Sequence, residues 1–310
     1  MRRLPSGFLA ASAIASVAIA LAGCGLGAGR GTSDVTVTVT RDFGARSVGQ
    51  LTEPRVPGSE TVMRVLERHF NVGLRYGGGF VESIDGVSGS AARRDWFYYV
   101  NGIEAPKGAA GTTVHRGDRI WWDLHDWAAT NSVPAVVGSF PEPFLHGTGG
   151  KRFPTVLQCA SDVGAACKHV SGELSALGVP VATQLIGTGS GTDSLGVVVG
   201  TWSDIRAAIV ASLLQQGPGA SGVYARFSPQ GRSLTLLDPG GRVVRTIGSG
   251  AGLVAATAQG PGVPTWLVTG TDVAGVDAAA AALTPGALRN HFALAVQGPI
   301  RLPLPLRGAS

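Results

Sequence analysis

Three segments between residues 79 and 124 constrain this chain most. Gly79-Phe80-Val81-Glu82-Ser83-Ile84 runs into Asp85-Gly86, and Trp96-Phe97-Tyr98-Tyr99-Val100 runs into Asn101-Gly102. The third, Arg119-Ile120-Trp121-Trp122-Asp123-Leu124, is entered through Gly117-Asp118. Aromatic and β-branched side chains favour extended backbone, and Asp-Gly and Asn-Gly favour the left-handed conformations of a tight reversal. Upstream, Asp34 to Thr40 (DVTVTVT) alternates strictly, so Val35, Val37 and Val39 share one face of a strand. In between, Pro57-Gly58-Ser59 opens a helix with Ser59 as the expected N-cap, and Val62, Val65, Leu66 and Phe70 recur at helical spacing. A strand, one helix and then several strands make an α+β arrangement, a single helix on a mixed sheet.

The chain has 310 residues, room for two domains at about 150 residues each. The texture changes at Thr155. Strands are expected over 155–159, 179–186, 195–200 and 265–269, a meander over 222–247, and helices over 164–177 and 272–283. Thr201 caps a further helix, with Asp204 in the capping-box position. Helices alternating with strands predict an α/β domain over 155–298, followed by a tail, 299–310. Residues 128–154 carry four prolines and little periodicity, so they read as a Pro/Gly-rich connector with His146 in solvent.

The N-terminus speaks to location. Arg2 and Arg3 precede an apolar stretch from Phe8 to Ala22, the pattern of an export signal. It ends Leu21-Ala22-Gly23-Cys24, which resembles the lipobox of bacterial lipoproteins. The resemblance implies cleavage of residues 1–23, a diacylglyceryl group on Cys24, and attachment to the extracytoplasmic face of the cell membrane through that lipid. An uncleaved membrane anchor is the alternative. Residues 24–33 read as a small-residue tether. In an oxidising compartment the two remaining cysteines, Cys159 and Cys167, are expected to pair, the alternative being two reduced core thiols.

The ordered motifs of the first half resemble a known family. GFVESIDG, then WFYYVNG, then HRGDRIWW, after a helix, is similar to the β-grasp domain shared by the C-terminal region of transcobalamin and intrinsic factor and by many bacterial surface proteins. The resemblance covers Ser59 to Trp127, within a β-grasp domain assigned to 34–127. It implies a ligand-binding or docking module on an exported protein. It does not imply cobalamin, because the helical barrel with which the eukaryotic carriers enclose the corrin is not encoded here.

Four of the six tryptophans fall in this half: Trp96, Trp121, Trp122 and Trp127. If 120–127 is extended, Trp121, Asp123, His125 and Trp127 share one face. Two rings flanking a carboxylate and an imidazole could stack a planar or sugar-like ligand and bond its edge. The competing reading puts Trp96 and Trp122 in the core and uses Trp121 and Trp127 to cover the sheet or the second domain. His115, Asp118, Asp123, His125 and Asp126 match no common zinc or calcium spacing, so no metal is expected.

Composition argues against other classes. The 25 Lys+Arg against 20 Asp+Glu form no basic run longer than two, so no nucleic-acid partner is expected. The run Gly248-Ser249-Gly250-Ala251-Gly252-Leu253 precedes a helix-like stretch, but Leu253 stands where the dinucleotide fingerprint needs its third glycine. No cofactor is expected. With no Gly-x-Ser-x-Gly, His-Glu-x-x-His or P-loop, the chain reads as a non-enzyme. It is expected to bind a small molecule or glycan through the β-grasp domain. The alternative is a non-catalytic envelope scaffold that docks a protein.

Overall fold

The computed structural model describes residues 34–89, 93–187, 189–260 and 262–307. The export signal, Cys24 and the tether lie outside the described residues. The architecture is mixed α+β, with a smaller N-terminal sheet packed against a larger C-terminal one.

The first domain comprises β1 (Val35–Arg41), β2 (Arg46–Glu53), α1 (Val62–His69), β3 (Val72–Arg75), β4 (Phe80–Ile84), β5 (Val87–Ser88), β6 (Arg94–Val100), β7 (Ile103–Glu104) and β8 (Arg119–Asp126). Its main sheet has the order β2-β1-β8-β6-β7, with β1 parallel to β8 and the other pairs antiparallel. A separate ribbon, β3-β4-β5, stands beside it. The alternation in β1 works as expected: Val35, Val37 and Val39 pack with Val62, Val65 and Leu66 of α1. Thr61, not Ser59, caps α1, its side chain accepting from the Arg64 N–H. The strand β2 had no sequence expectation, because its residues alternate weakly and are largely exposed.

The second domain contains β9 (Thr155–Cys159), α2 (Gly164–Ala176), β10 (Val181–Leu185), β11 (Leu195–Thr201), α3 (Trp202–Ile205), α4 (Ile209–Gln215) and α5 (Pro218–Ser221). There follow β12 (Ala225–Phe227), β13 (Leu234–Leu237), β14 (Val243–Ile247), β15 (Ala251–Thr257), β16 (Thr265–Gly270), α6 (Val273–Ala281), α7 (Pro285–Leu288), β17 (Ala293–Gln297) and β18 (Ile300–Leu304). The large sheet runs β10-β9-β11-β16-β15-β17-β18, parallel through its first four strands and antiparallel thereafter. Period-two alternation assigns its two faces. Val197, Val199, Val254, Ala256 and Trp266 meet α2 and α6, whereas Val198, Leu253, Ala255 and Leu267 meet the β12-β13-β14 meander. The Thr201–Asp204 capping box is present, although α3 stops after one turn and α4 continues separately. Cys159 and Cys167 are joined by a disulfide with Cα atoms 6.0 Å apart.

Three segments differ from expectation. Residues 251–257 form the fully buried strand β15, not a helix. A short apolar run without period suits either element, and burial on both faces decides it. The stretch expected as a tail supplies β18: Leu304 is buried and Arg307 Nη2 donates to the Asp42 carbonyl at 2.8 Å. Pro303 and Pro305 argue against a strand in general, but β18 is an edge, where no ladder N–H is required on the outer side.

The third difference is the connector, which is packed and not a loose hinge. Val133 and Val136 join the core facing the meander, and Val137, Phe140, Phe144 and Leu145 join the core under α2 and α6. Phe140 and Phe144 lie 5.8 and 5.1 Å from Trp266. His146 is correspondingly held inside, not solvated: its Nδ1 is 2.6 Å from Glu142 Oε1, and its N–H donates to Oε2 at 2.9 Å.

The two domains share one hydrophobic cluster. Phe43, Tyr99 and Trp121 of the first interlock with Tyr224, Leu253 and Phe292 of the second. Phe292 touches four rings, those of Phe43, Tyr99, Trp121 and His125, at 5.1–5.7 Å. Phe292→Ala is therefore expected to cost about 3–5 kcal/mol. Urea unfolding followed by tryptophan fluorescence and by circular dichroism would measure it. An unchanged midpoint would show that the domains do not depend on this junction.

His146 generates a pH prediction. The hydrogen bond to the Glu142 carboxylate raises its pKa above the ordinary value, against partial burial. The resulting stability is fully present below about pH 6.5 and is lost as pH rises through the folded-state pKa. His146→Asn should flatten the decline of the urea midpoint above about pH 6.5; an unaltered slope would remove His146 from the account.

Candidate functional site

Trp121, Asp123 and His125 do come together, but as a closed junction. Asp123 is fully buried and accepts four hydrogen bonds. They come from Thr40 Oγ1 at 2.5 Å, the Phe43 N–H at 2.9 Å, the Gly44 N–H at 2.8 Å and His125 Nδ1 at 2.9 Å. Facing a carboxylate, that ring nitrogen must carry its proton. Trp121 Nε1 donates to Thr40 Oγ1 at 2.7 Å, so the indole, the hydroxyl and the carboxylate form one chain. His125 stacks on Phe97, 4.4 Å between ring centres, with Phe43 at 4.6 Å on it and the edge of Phe292 at 5.2 Å. The second domain covers this face.

Trp127 lies past the end of β8 and separates from the other three. Its Nε1 donates to Asp95 Oδ2 at 2.7 Å, and its half-buried ring borders a different opening. That opening is a cleft of about 480 Å³ on the α1 side of the small sheet, bounded by the β3-β4 ribbon and the strand β6. Its size falls within the roughly 300–1,000 Å³ of small-molecule sites.

The local sequence explains why the cleft exists. β7 pairs with β6 only at Tyr99 and Val100, so residues 94–98 of β6 have β8 as their one ladder neighbour. The backbone beyond that edge borders the cleft. Trp96 and Trp122 contribute to its walls while belonging to the α1 core, and Tyr98 stacks on Trp122 at 4.8 Å. The ribbon supplies Tyr76 and Phe80, 83% and 66% exposed, in an edge-to-face pair at 5.8 Å. Arg75 and Glu82 form an ion pair across the same ribbon. At the other end Glu104 bonds Ser132, and burial pushes its carboxyl above the ordinary value.

The polar bookkeeping of the cleft is open. Trp96 is 9% exposed and Trp122 2%, and the indole N–H of each has no acceptor in the protein. Leaving a buried donor unmade costs about 1–3 kcal/mol, and both rings also line the cleft. Trp96 and Trp122 belong to the core, as the competing expectation had it, and Tyr76 and Phe80 carried no expectation from the sequence as site residues. The available signal was an exposed-type aromatic on each side of the Gly77-Gly78-Gly79 run, where a ribbon turns and no core face exists. Among the described residues, no group of three or more His, Cys, Asp or Glu side chains could hold a metal, and no helix is long and apolar enough to cross a membrane.

The family comparison concerns the same region. Residues 59–126 match the family model Domain of unknown function (DUF4430). Among solved structures the chain is similar to a protein from Ruminococcus gnavus provisionally described as metal-binding, with 20% identity and a TM-score of 0.26 over 30% of this chain and 97% of that one. It is also similar to haptocorrin in complex with Cbi, with 18% identity and a TM-score of 0.23 over 30% of this chain and 26% of haptocorrin. No curated protein matches the chain. The family match spans α1 to β8, the part of the chain that carries both the transcobalamin-like motifs and the cleft.

Proposed function

We propose that this chain is a lipid-anchored extracytoplasmic binding protein that holds a small molecule or glycan in the cleft of its β-grasp domain, without catalysing a reaction on it. The observation that carries this reading is the pair of buried, unpartnered indole N–H groups of Trp96 and Trp122 beside an aromatic-lined cleft. Such a site favours a ligand with a flat apolar face and oxygen acceptors on its edge: the rings supply stacking area and the indoles supply directional donors. The lipobox-like Leu21-Ala22-Gly23-Cys24 supports the location.

A second reading, an envelope scaffold that docks a protein, is favoured by one observation. Tyr76 and Phe80 project from the ribbon with most of their surface in water, as docking aromatics do.

Tryptophan fluorescence against soluble oligosaccharides and planar heteroaromatic compounds tests the first reading. A ligand of the cleft should perturb emission in the native protein. Trp122→Phe, which keeps the ring area and deletes the donor, should weaken its binding about fivefold to a hundredfold. Trp121→Phe, altered only at the domain junction, should leave the affinity unchanged. Equal loss from both variants would place the ligand elsewhere. Retention of a stoichiometric protein on pull-down, abolished by Phe80→Ala, would favour the scaffold.

The anchor is tested separately. Cys24→Ala should release the chain from the membrane fraction, and unchanged retention would overturn lipidation as the means of attachment.

A further inference from the structure

The junction between the two domains contains a second, smaller cleft of about 170 Å³, which the reading above does not use. The first domain brings Thr36 and Thr38 from β1, Gln50 from β2 and Arg119 from β8; the second brings Arg289 and Asn290 from the turn after α7. The DVTVTVT alternation explains the first group. With its valines turned to α1, β1 turns its threonines to the second domain. Thr36 is in register with Arg119, and Thr38 with both Trp121 and Gln50, so these side chains share one face of three adjacent strands.

The chemistry of the lining is one-sided. It holds two guanidinium groups, hydroxyls and two carboxamides, and no carboxylate. Arg119 Nη1 donates to the Phe140 carbonyl at 3.0 Å, which fixes the arm of the side chain. Neither arginine forms an ion pair among the described residues. The cleft is also preformed. A Cβ on Gly138 would stand 2.7 Å from the Trp121 ring and 2.9 Å from the Asn290 N, so the glycine allows the second domain to close directly onto β8. Domain junctions of this kind are preferred ligand positions.

We propose that this cleft binds a small oxyanion carrying two charges, of the phosphoryl type. Two uncompensated positive charges call for a dianion. The guanidinium fork matches the spacing of oxyanion oxygens, and hydroxyl and amide donors complete the remaining acceptor positions. The volume of about 170 Å³ admits a group of that size. The two proposals are independent, since no titratable group is common to both linings.

The test is isothermal titration of the full chain with inorganic phosphate at about pH 8, where phosphate is dianionic, in low chloride. Saturable binding is expected. Arg289→Ala and Thr38→Val should each weaken it, the former by at least about tenfold. Arg245→Ala, an exposed arginine on β14 remote from the junction, should not change it. Arg289 is itself exposed, so its truncation leaves the core intact, and a thermal melt of each variant confirms folding. Non-saturable heats, or equal affinity in Arg289→Ala, would overturn the site. Acetate binding as tightly as phosphate would overturn the assignment of a dianion.

Discussion

The buried carboxylate of Asp123 is the interaction on which the junction of the two domains depends. Removing such a group from water costs several kcal/mol unless its oxygens are satisfied. Here four donors converge on it, from the end of β1, from its following turn and from His125. In return it holds the turn after β1 in an unusual shape: Asp42, Phe43 and Gly44 all have positive φ. A bulky residue such as Phe43 adopts that conformation at a cost of roughly 1–2 kcal/mol. The two backbone N–H groups bonded to Asp123 stabilise it, and Phe43 is thereby driven between His125, Tyr224 and Phe292.

One consequence reaches the functional reading. A sheet has two faces, and this one uses the Trp121–Asp123–His125 face to meet its neighbour. The face with the more suggestive chemistry is therefore spent on cohesion. The larger cleft lies on the opposite side, where β6 outruns β7. There, Trp96 and Trp122 are core residues whose indole donors were left unmatched. At the junction Asp123, His125 and the Trp121 indole are paired within the protein, whereas the indole donors of Trp96 and Trp122 beside the cleft are not.

Much of the architecture was legible because it rests on local patterns. The valines of β1, the stripe on α1, the Asp-Gly and Asn-Gly turns, the capping box at Thr201 and the apolar run of β11 each carry a signal over a few residues. The failures also have physical causes. Residues 251–257 are small and apolar throughout, so no period distinguishes a helix from a strand buried on both sides. Residues 133–145 pack without any period at all, because they fill a space between preformed elements and follow no face of their own. β18 was obscured by prolines that only an edge position tolerates.

The sequence by itself determined that the chain has an α+β first domain with transcobalamin-like motifs, which face of β1 is apolar, and that Trp121, Asp123 and His125 stand on one side of β8. Spacing along the chain suffices for that, since side-chain direction in a strand repeats every two residues. Only the tertiary structure decided what that side faces. Exposure depends on which distant segment comes to rest against it, and Phe43, Tyr224 and Phe292 are brought there from positions up to about 250 residues apart. The same long-range packing left Trp96 and Trp122 without acceptors and two arginines without carboxylates.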